Sequence, residues 1–487
     1  METWSLLFDF IAKWYYVPLV FIYIAVIITV LFENRKPEKA LAWVMIVSFL
    51  PGVGLLLYYF FGQDFQKNKR FSQLEKKFMA NTTRRWKEME PVFTNQIEEI
   101  RKINPDVAQT FQYLINTNNS VPTSNNQAEL LINGEVKFPK LMEDIKQAKH
   151  HVHLEYYIVD DDELVQALMD LLEEKAKEGV EIRLLVDAFG SSGFAKKQKF
   201  YRDKGIEFEI MLPVHFRSLA NSNYRNHRKI AIIDGVIGYA GGINLSKKYS
   251  NDFNNHVYWR DTSIRIKGDA IKVLQVQFLL HWQLASEIDF NFDKAYFPNV
   301  EQKLGTLPII YAFSSPGAPI PYVMEVMINS IVNAQKSVKL CTPYFIPTDE
   351  FRIALLIAQS KGVQVELMLP HRGDSNVVQA ASLSFLKVLA ERGVKVYLYK
   401  KGFIHAKTIS IDGQTLFVGS TNLDVRSFLI NFEYSVIAKS KLLCEEHNAQ
   451  FEKDKVDSEV FTLEYWKEKA WYKRAFAALC RLMSPLL

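Results

Sequence analysis

The pattern H-x-K-x-x-x-x-D occurs twice in the sequence, as His227, Lys229 and Asp234 in "NHRKIAIID" and as His405, Lys407 and Asp412 in "IHAKTISID". Side chains two apart on a strand share a face, so each copy presents an imidazole beside a fixed positive charge. "GGIN" follows the first copy and "GSTN" the second, bringing Gly241 with Asn244 and Gly419 with Asn422. Small residues there let a phosphate approach the backbone, and the asparagines add neutral donors. One such unit suits a phosphate oxyanion but completes only half of a displacement. Two units facing each other supply a nucleophilic imidazole and a second imidazole that protonates the leaving alkoxide and later deprotonates the acceptor. Lys229, Lys407, Asn244 and Asn422 are expected to offset charge on the phosphoryl oxygens, so the chemistry demands no metal and no cofactor. A carboxylate on each imidazole would orient it, and Asp261 in "YWRDTSI" and Glu433 in "NFEYSV" are the candidates, each opening a later strand in its own copy. Asp234 and Asp412 complete the catalytic motif, but their odd spacing from the histidines and the Gly235 and Gly413 that follow place them in a D-G turn, in a mainly structural role.

A single H-x-K-x4-D run is more often a solvated strand edge than a site. Two copies inside a wider repeat reverse that judgement. The segment "AKHHVHLEYYIVDDDELVQAL" is answered by "AQKSVKLCTPYFIPTDEFRIAL", "AKEGVEIRLLVD" by "QSKGVQVELMLP", and "RDKGIEFEI" by "AERGVKVYL", so that Gly179 corresponds to Gly362. Each copy reads strand, helix, Gly, strand, then helix, Gly, strand, which is one α/β unit present twice. We place the first domain at residues 126–300 and the second at 301–487, joined near "FPNVEQKLGTLPIIYAF", with a helical connector over 66–125.

Residues 14–32 and 40–61 contain no charged side chain, and Trp14, Tyr15, Tyr16, Tyr58 and Tyr59 mark their ends. Each stretch is long enough to cross a hydrocarbon layer of about 30 Å, so residues 1–65 are expected to form a two-helix membrane hairpin. Arg35, Lys36 and Lys39 lie in the short loop; Lys13, Lys67, Lys69, Arg70, Lys76 and Lys77 lie on the other side. That balance places both termini and the α/β domains in the cytoplasm. Charged residues are 23% of the 487 and the net charge is +5, which argues against a dedicated nucleic-acid binder. The three cysteines are scattered without C-x-x-C spacing, fitting neither a disulfide framework nor a zinc site.

The paired motifs resemble those of the phospholipase D superfamily. Its bacterial cardiolipin synthase branch is the nearer likeness, through the hairpin with "LAWVMIVSFLPGVGLLLYYFFG", the segment "LINGEVKFPKL", "TPYFIPTDE" and a terminal "LMSPLL". The resemblance covers nearly the whole chain. It implies two tandem phospholipase D-like α/β domains, each a mixed sheet flanked by helices, around a pseudo-two-fold active site. It implies that two phosphatidylglycerol molecules give cardiolipin and glycerol through a phosphatidyl-histidine, with His227 as nucleophile and His405 as acid and base, at the bacterial cytoplasmic membrane. A lipid hydrolase, a transferase to another alcohol and a membrane-tethered nuclease are the alternatives; oligomeric state is not legible.

Three further signals are weaker. His150, His151 and His153 open a strand without partner ligands and read as structural. "DDDEL", residues 160–164, reads as a helix N-terminus rather than a calcium loop. "WKEKAWYKRAFAALCRLMSPLL" is amphipathic and fits a membrane surface or packing on the domain equally.

Overall fold

The computed structural model describes residues 16–32, 37–50, 52–58, 98, 105–117, 120–212, 224–286, 288, 294–299, 303–316, 318, 320–482 and 484. Near the N-terminus, helix α1 (Tyr16–Phe32) and helix α2 (Pro37–Phe49) pack on each other, with Val30 and Val47 buried between them. The 17 residues of α1 extend about 25 Å, and among the described residues no helix is long and apolar enough to cross a membrane. The second expected span is not one helix. Helix α2 ends at Phe49, Gly52 takes φ 78°, and α3 (Val53–Leu57) follows it. Residues 14, 15 and 59–61 of the expected spans, and Phe71, Leu74 and Phe78 of the expected connector, lie outside the described residues.

The α/β body is built on two mixed sheets with one plan. The first contains β1 (Asn126–Ile132), β2 (His151–Tyr156), β3 (Glu181–Asp187), β4 (Glu207–Met211), β5 (Lys229–Ile233), β6 (Ile237–Gly241) and, after the separate short β7 (Tyr258–Arg260), β8 (Thr262–Gly268), in the order β1-β8-β6-β5-β2-β3-β4. The second contains β9 (Ile309–Ser314), β10 (Ser337–Cys341), β12 (Gln364–Pro370), β13 (Lys395–Tyr399), β15 (Thr408–Ile411), β16 (Thr415–Gly419), β18 (Glu433–Lys439) and β19 (Ser458–Val460). The short β11 (Phe345–Ile346), β14 (Gly402–Ile404) and β17 (Leu423–Asp424) stand outside it. Its order, β19-β13-β12-β10-β15-β16-β18-β9, repeats the first sheet with one strand added at the edge. In both, three strands run parallel (β2, β3, β4 and β10, β12, β13) and the hairpin carrying the motif joins antiparallel.

Strand alternation explains the layering. Ile230 and Ile232 of β5 face inward to a cluster shared with Leu416, Val418, Val436 and Tyr311 of the second sheet, so the two sheets pack face to face. Ala231 and Ile233 face outward to a core beneath the helices Gly134–Lys146 and Glu163–Lys177. Ile409, Ile411 and Phe417 do the same under Tyr322–Asn333, Asp349–Ser360 and Asn376–Glu391. The repeated glycines end their helices in the left-handed region, Gly179 and Gly362 at φ 90° and 89°, Gly205 and Gly393 at 87° and 86°. Asp162 caps the helix Glu163–Lys177 by accepting from Val165 N at 3.1 Å.

Asp234 and Asp412 both take positive φ (52° and 54°) and begin the motif hairpin turns. The Asp234 carboxylate accepts from the backbone N–H groups of Lys149, His150 and His151 at 2.9, 2.8 and 3.0 Å. The Asp412 carboxylate accepts from Gln335, Lys336 and Ser337 at 2.9, 2.7 and 2.9 Å. Each aspartate ties its hairpin to the start of the neighbouring strand, β2 or β10. Asp412→Ala leaves three donors without this acceptor, and is expected to lower the free energy of urea unfolding by about 2 kcal/mol. An unchanged unfolding midpoint would contradict that role.

Candidate active site

Two short cross-lobe pairings bring the motifs together. β14 pairs in parallel with β7, and the His405 N–H extends the pairing by donating to Arg260 O at 2.7 Å. On the other side Asn226 bridges Phe432, and His227 N–H donates to Phe432 O at 3.1 Å. Each histidine therefore lies just ahead of its motif strand, in register with the residue preceding the opposite lobe's carboxylate.

The carboxylates are consequently exchanged between lobes. His227 Nδ1 lies 2.9 Å from Glu433 Oε1, and His405 Nδ1 lies 2.7 Å from Asp261 Oδ2. Both candidate carboxylates sit at the site, each on the other copy's histidine. The reason is the cross-lobe pairing, which places β7 and its successor Asp261 against the His405 segment. With Nδ1 directed at a carboxylate, each ring keeps Nε2 for chemistry.

Lys229, Lys407 and His405 are buried and His227 is partly exposed, and their charges act on one another. Burial and the charges of Lys229, Lys407 and Arg426 hold His227 well below its ordinary pKa; burial and Lys407 push His405 down to about 3. Both rings are therefore neutral near pH 7. Burial pushes Lys407 down to about 8 and depresses Lys229 strongly, although Asp261 and Glu433 oppose this. Each ammonium donates to the carbonyl of its own motif histidine, Lys407 to His405 O at 2.6 Å and Lys229 to His227 O.

The two carboxylates differ. Burial pushes Asp261 up, but His405, Lys407 and the Thr262 N–H at 2.7 Å outweigh it and hold the carboxyl below its ordinary value. Burial dominates at Glu433 and raises it to about 7. The residues beside them differ as well. A Cβ on Gly242 would stand 2.3 Å from Asp261 Oδ1, whereas the corresponding Ser420 donates its hydroxyl to Glu433. Gly242 thus makes room for a carboxylate, and Gly241 and Gly419 for neighbouring backbone.

Asn244 is also differently employed. Its Oδ1 accepts from Ile158 N at 3.1 Å and its Nδ2 donates to Tyr249 OH at 3.0 Å, so the amide ties the loop to β2's exit. Asn422 is buried, and its Oδ1 has no hydrogen-bond partner among the described residues. His151 and His153 are buried around Gln275, and among the described residues no three His, Cys, Asp or Glu side chains are grouped as metal ligands.

Several residues at the site carried no motif. The Tyr157 ring lies 4.9 Å from His227 and 5.2 Å from Lys229 Nζ; the Trp259 ring lies 5.3 Å from His405. Lys137, fully buried and pushed down to about 7 by that burial, donates to Ile243 O at 2.7 Å and pins the "GGIN" loop. The repeat itself could have flagged Tyr157, since "EYYI" and "TPYF" occupy matching strand ends; nothing local marks Lys137.

Comparison with known proteins agrees with this architecture. A family described as "Cardiolipin synthase, PLD-like domain" matches residues 141–282 and 327–455, and "Phospholipase_D-nuclease N-terminal" matches 21–63. The major cardiolipin synthase of Bacillus subtilis is 35% identical over 464 residues, covering 95% of this chain and 96% of that protein. A cardiolipin synthase of Oceanobacillus iheyensis is 35% identical over 469 residues, covering 95% and 97%. Among solved structures, a phosphatidylserine synthase from Haemophilus influenzae superposes with a TM-score of 0.61 at 16% identity, over 78% of this chain and 98% of that one, a likeness of fold. With the family match spanning more than half of the sequence and the relatives nearly all of it, the chain belongs to the cardiolipin synthase family of the phospholipase D superfamily and is an enzyme.

Proposed function

We propose that the site transfers a phosphatidyl group from one phosphatidylglycerol to the headgroup hydroxyl of a second, giving cardiolipin and glycerol. The observation that carries this is the pair of imidazoles, one from each lobe, each backed at Nδ1 by a carboxylate of the other. His227 Nε2 attacks phosphorus, the P–O bond to glycerol breaks, and His405 delivers the proton to the departing alkoxide. The headgroup hydroxyl of the second lipid then gives its proton to His405 and attacks the phosphatidyl-histidine, restoring His227. Lys229 and Lys407 offset the phosphoryl charge, with Asn422 as a further amide; Asn244 serves by holding the loop. The neutral ground state of His227 suits a nucleophile. A phosphodiester anion between the lysines offsets the charges that depress His405, so that it can carry the proton it must deliver.

The N-terminal apolar helices anchor the enzyme at the bacterial cytoplasmic membrane, with the lobes on the cytoplasmic side. Two apolar stretches and six flanking bases against three support that topology. Lipid packed about the site disfavours water as acceptor.

Incubating the detergent-purified chain with phosphatidylglycerol alone, without nucleotide, tests the assignment by mass spectrometry of lipids and free glycerol. One glycerol per cardiolipin is expected; phosphatidic acid without cardiolipin would make the enzyme a hydrolase. The lysines give a second expectation. Since burial holds Lys407 near 8, an anionic phosphodiester raises it on binding, and a non-hydrolysable analogue should take up protons at pH 8.5. Calorimetry in buffers of different ionisation enthalpy reads this directly; proton release at pH 8.5 would contradict it.

A further inference from the structure

The helix Trp471–Leu482 packs against the helix Asn376–Glu391 and buries Ala477 and Cys480 in the second lobe's core. Its larger apolar face points the other way. At about 100° per residue, Trp471, Leu482, Leu479, Tyr472 and Phe476 occupy one arc of about 140°. Those five side chains are exposed, Trp471 at 74%, Leu479 at 59% and Leu482 at 75%. Such a face is costly in water, and a helix on a protein surface ordinarily turns it inward.

Charge names the occupant. The helix carries Lys473, Arg474 and Arg481 and no acid, and Lys467 and Lys469 precede it against the single Glu468. On the same projection Arg474 and Arg481 border the apolar arc on one side, and the exposed Lys473 lies beyond Phe476 at the seam with the domain. An apolar strip led by tryptophan and tyrosine and flanked by bases matches the boundary between acyl chains and anionic headgroups. A partner protein surface would need an apolar groove edged by acids.

We propose that the helix Trp471–Leu482 lies in the surface of an anionic bilayer, with Trp471, Phe476, Leu479 and Leu482 in the acyl region. The proposal rests on the reading that the substrate is a bilayer lipid. Its consequence reaches the active site through the helix Asn376–Glu391, which holds the amphipathic helix and also contributes Val378, Leu383 and Leu386 to an apolar groove closed by Leu398 and Tyr344. The Tyr344 ring lies 6.4 Å from Phe403, whose ring lies 5.9 Å from His405. The docked helix therefore brings to the lipid surface the lobe that carries the second histidine.

The test uses the full chain reconstituted in phosphatidylglycerol vesicles, with a nitroxide on Leu479→Cys and, as reference, on Lys441→Cys; the native cysteines are buried. The ratio of oxygen to nickel-chelate collision is expected to be about fivefold higher at position 479 than at 441. Equal ratios would overturn the proposal, and so would dipolar broadening between copies, which would assign the face to a second chain. Replacing Trp471, Phe476, Leu479 and Leu482 together by serine should raise the surface concentration of phosphatidylglycerol for half-maximal rate about tenfold, with the rate on monomeric short-chain lipid unchanged. An immersed label in vesicles that form no cardiolipin would refute the chemistry and keep the docking; cardiolipin formed with a water-exposed label would do the reverse.

Discussion

His227→Asn abolishes both glycerol release and cardiolipin formation, a loss of about 10⁴-fold or more, because the variant has no atom to accept the phosphatidyl group. His405→Asn behaves differently. It retains the nucleophile and loses the group that protonates the leaving alkoxide and deprotonates the acceptor, costing about 10²–10⁴-fold at each step. A substrate with a leaving group that needs no proton, such as a p-nitrophenyl phosphatidyl ester, restores the first step in His405→Asn. The phosphatidyl-enzyme then accumulates, because the second step still lacks its base. Rapid quench followed by intact-protein mass spectrometry separates the two variants. A covalent adduct in His227→Asn with none in His405→Asn would exchange the assigned roles.

The second large effect concerns the exchanged carboxylates. Glu433→Gln replaces the carboxylate at His227 Nδ1, 206 positions away in sequence, by a neutral amide that no longer stabilises charge on the ring, and is expected to slow formation of the phosphatidyl-enzyme by about 10²-fold or more. Asp261→Asn removes the negative charge that supports protonated His405 and reproduces the His405 pattern: the first step is rescued by the activated ester and the adduct accumulates. An own-lobe arrangement requires the opposite assignment, with Asp261→Asn blocking adduct formation. Because Gln and Asn keep the shape of the acids, circular dichroism and the unfolding midpoint serve as controls for folding.

These residues also show what a sequence can carry. The hairpins, the glycine helix ends at Gly179 and Gly362, the cap at Asp162 and the turns at Asp234 and Asp412 all depend on neighbours within a few residues, so their types and spacing disclose them. Asp261 and Glu433 were legible as residues because each opens a later strand of its own copy. Their partners were not, since β7 meets β14 more than 140 positions away and no local pattern specifies that pairing. The partners of Gly242 and Asn244 are hidden for a related reason. Small residues and amides after a histidine motif suit a phosphate, but here a carboxylate, a tyrosine hydroxyl and a backbone N–H had already taken the space. The break at Gly52 was masked by an unbroken apolar composition, which reports burial or lipid contact but not helix continuity.

The exchange of carboxylates makes each lobe depend on the other. A single lobe carrying its own histidine and carboxylate is inert alone and competent only as a head-to-head pair, so one chain holding two lobes makes permanent an encounter that would otherwise depend on concentration. The lobes differ in matched sets, aspartate with glycine in one and glutamate with a serine hydroxyl in the other, and each set is complete within its own lobe. The carboxylate travels with the group beside it, and only the histidine it serves lies across the seam. Separated halves mixed in solution would recover activity with the square of dilution.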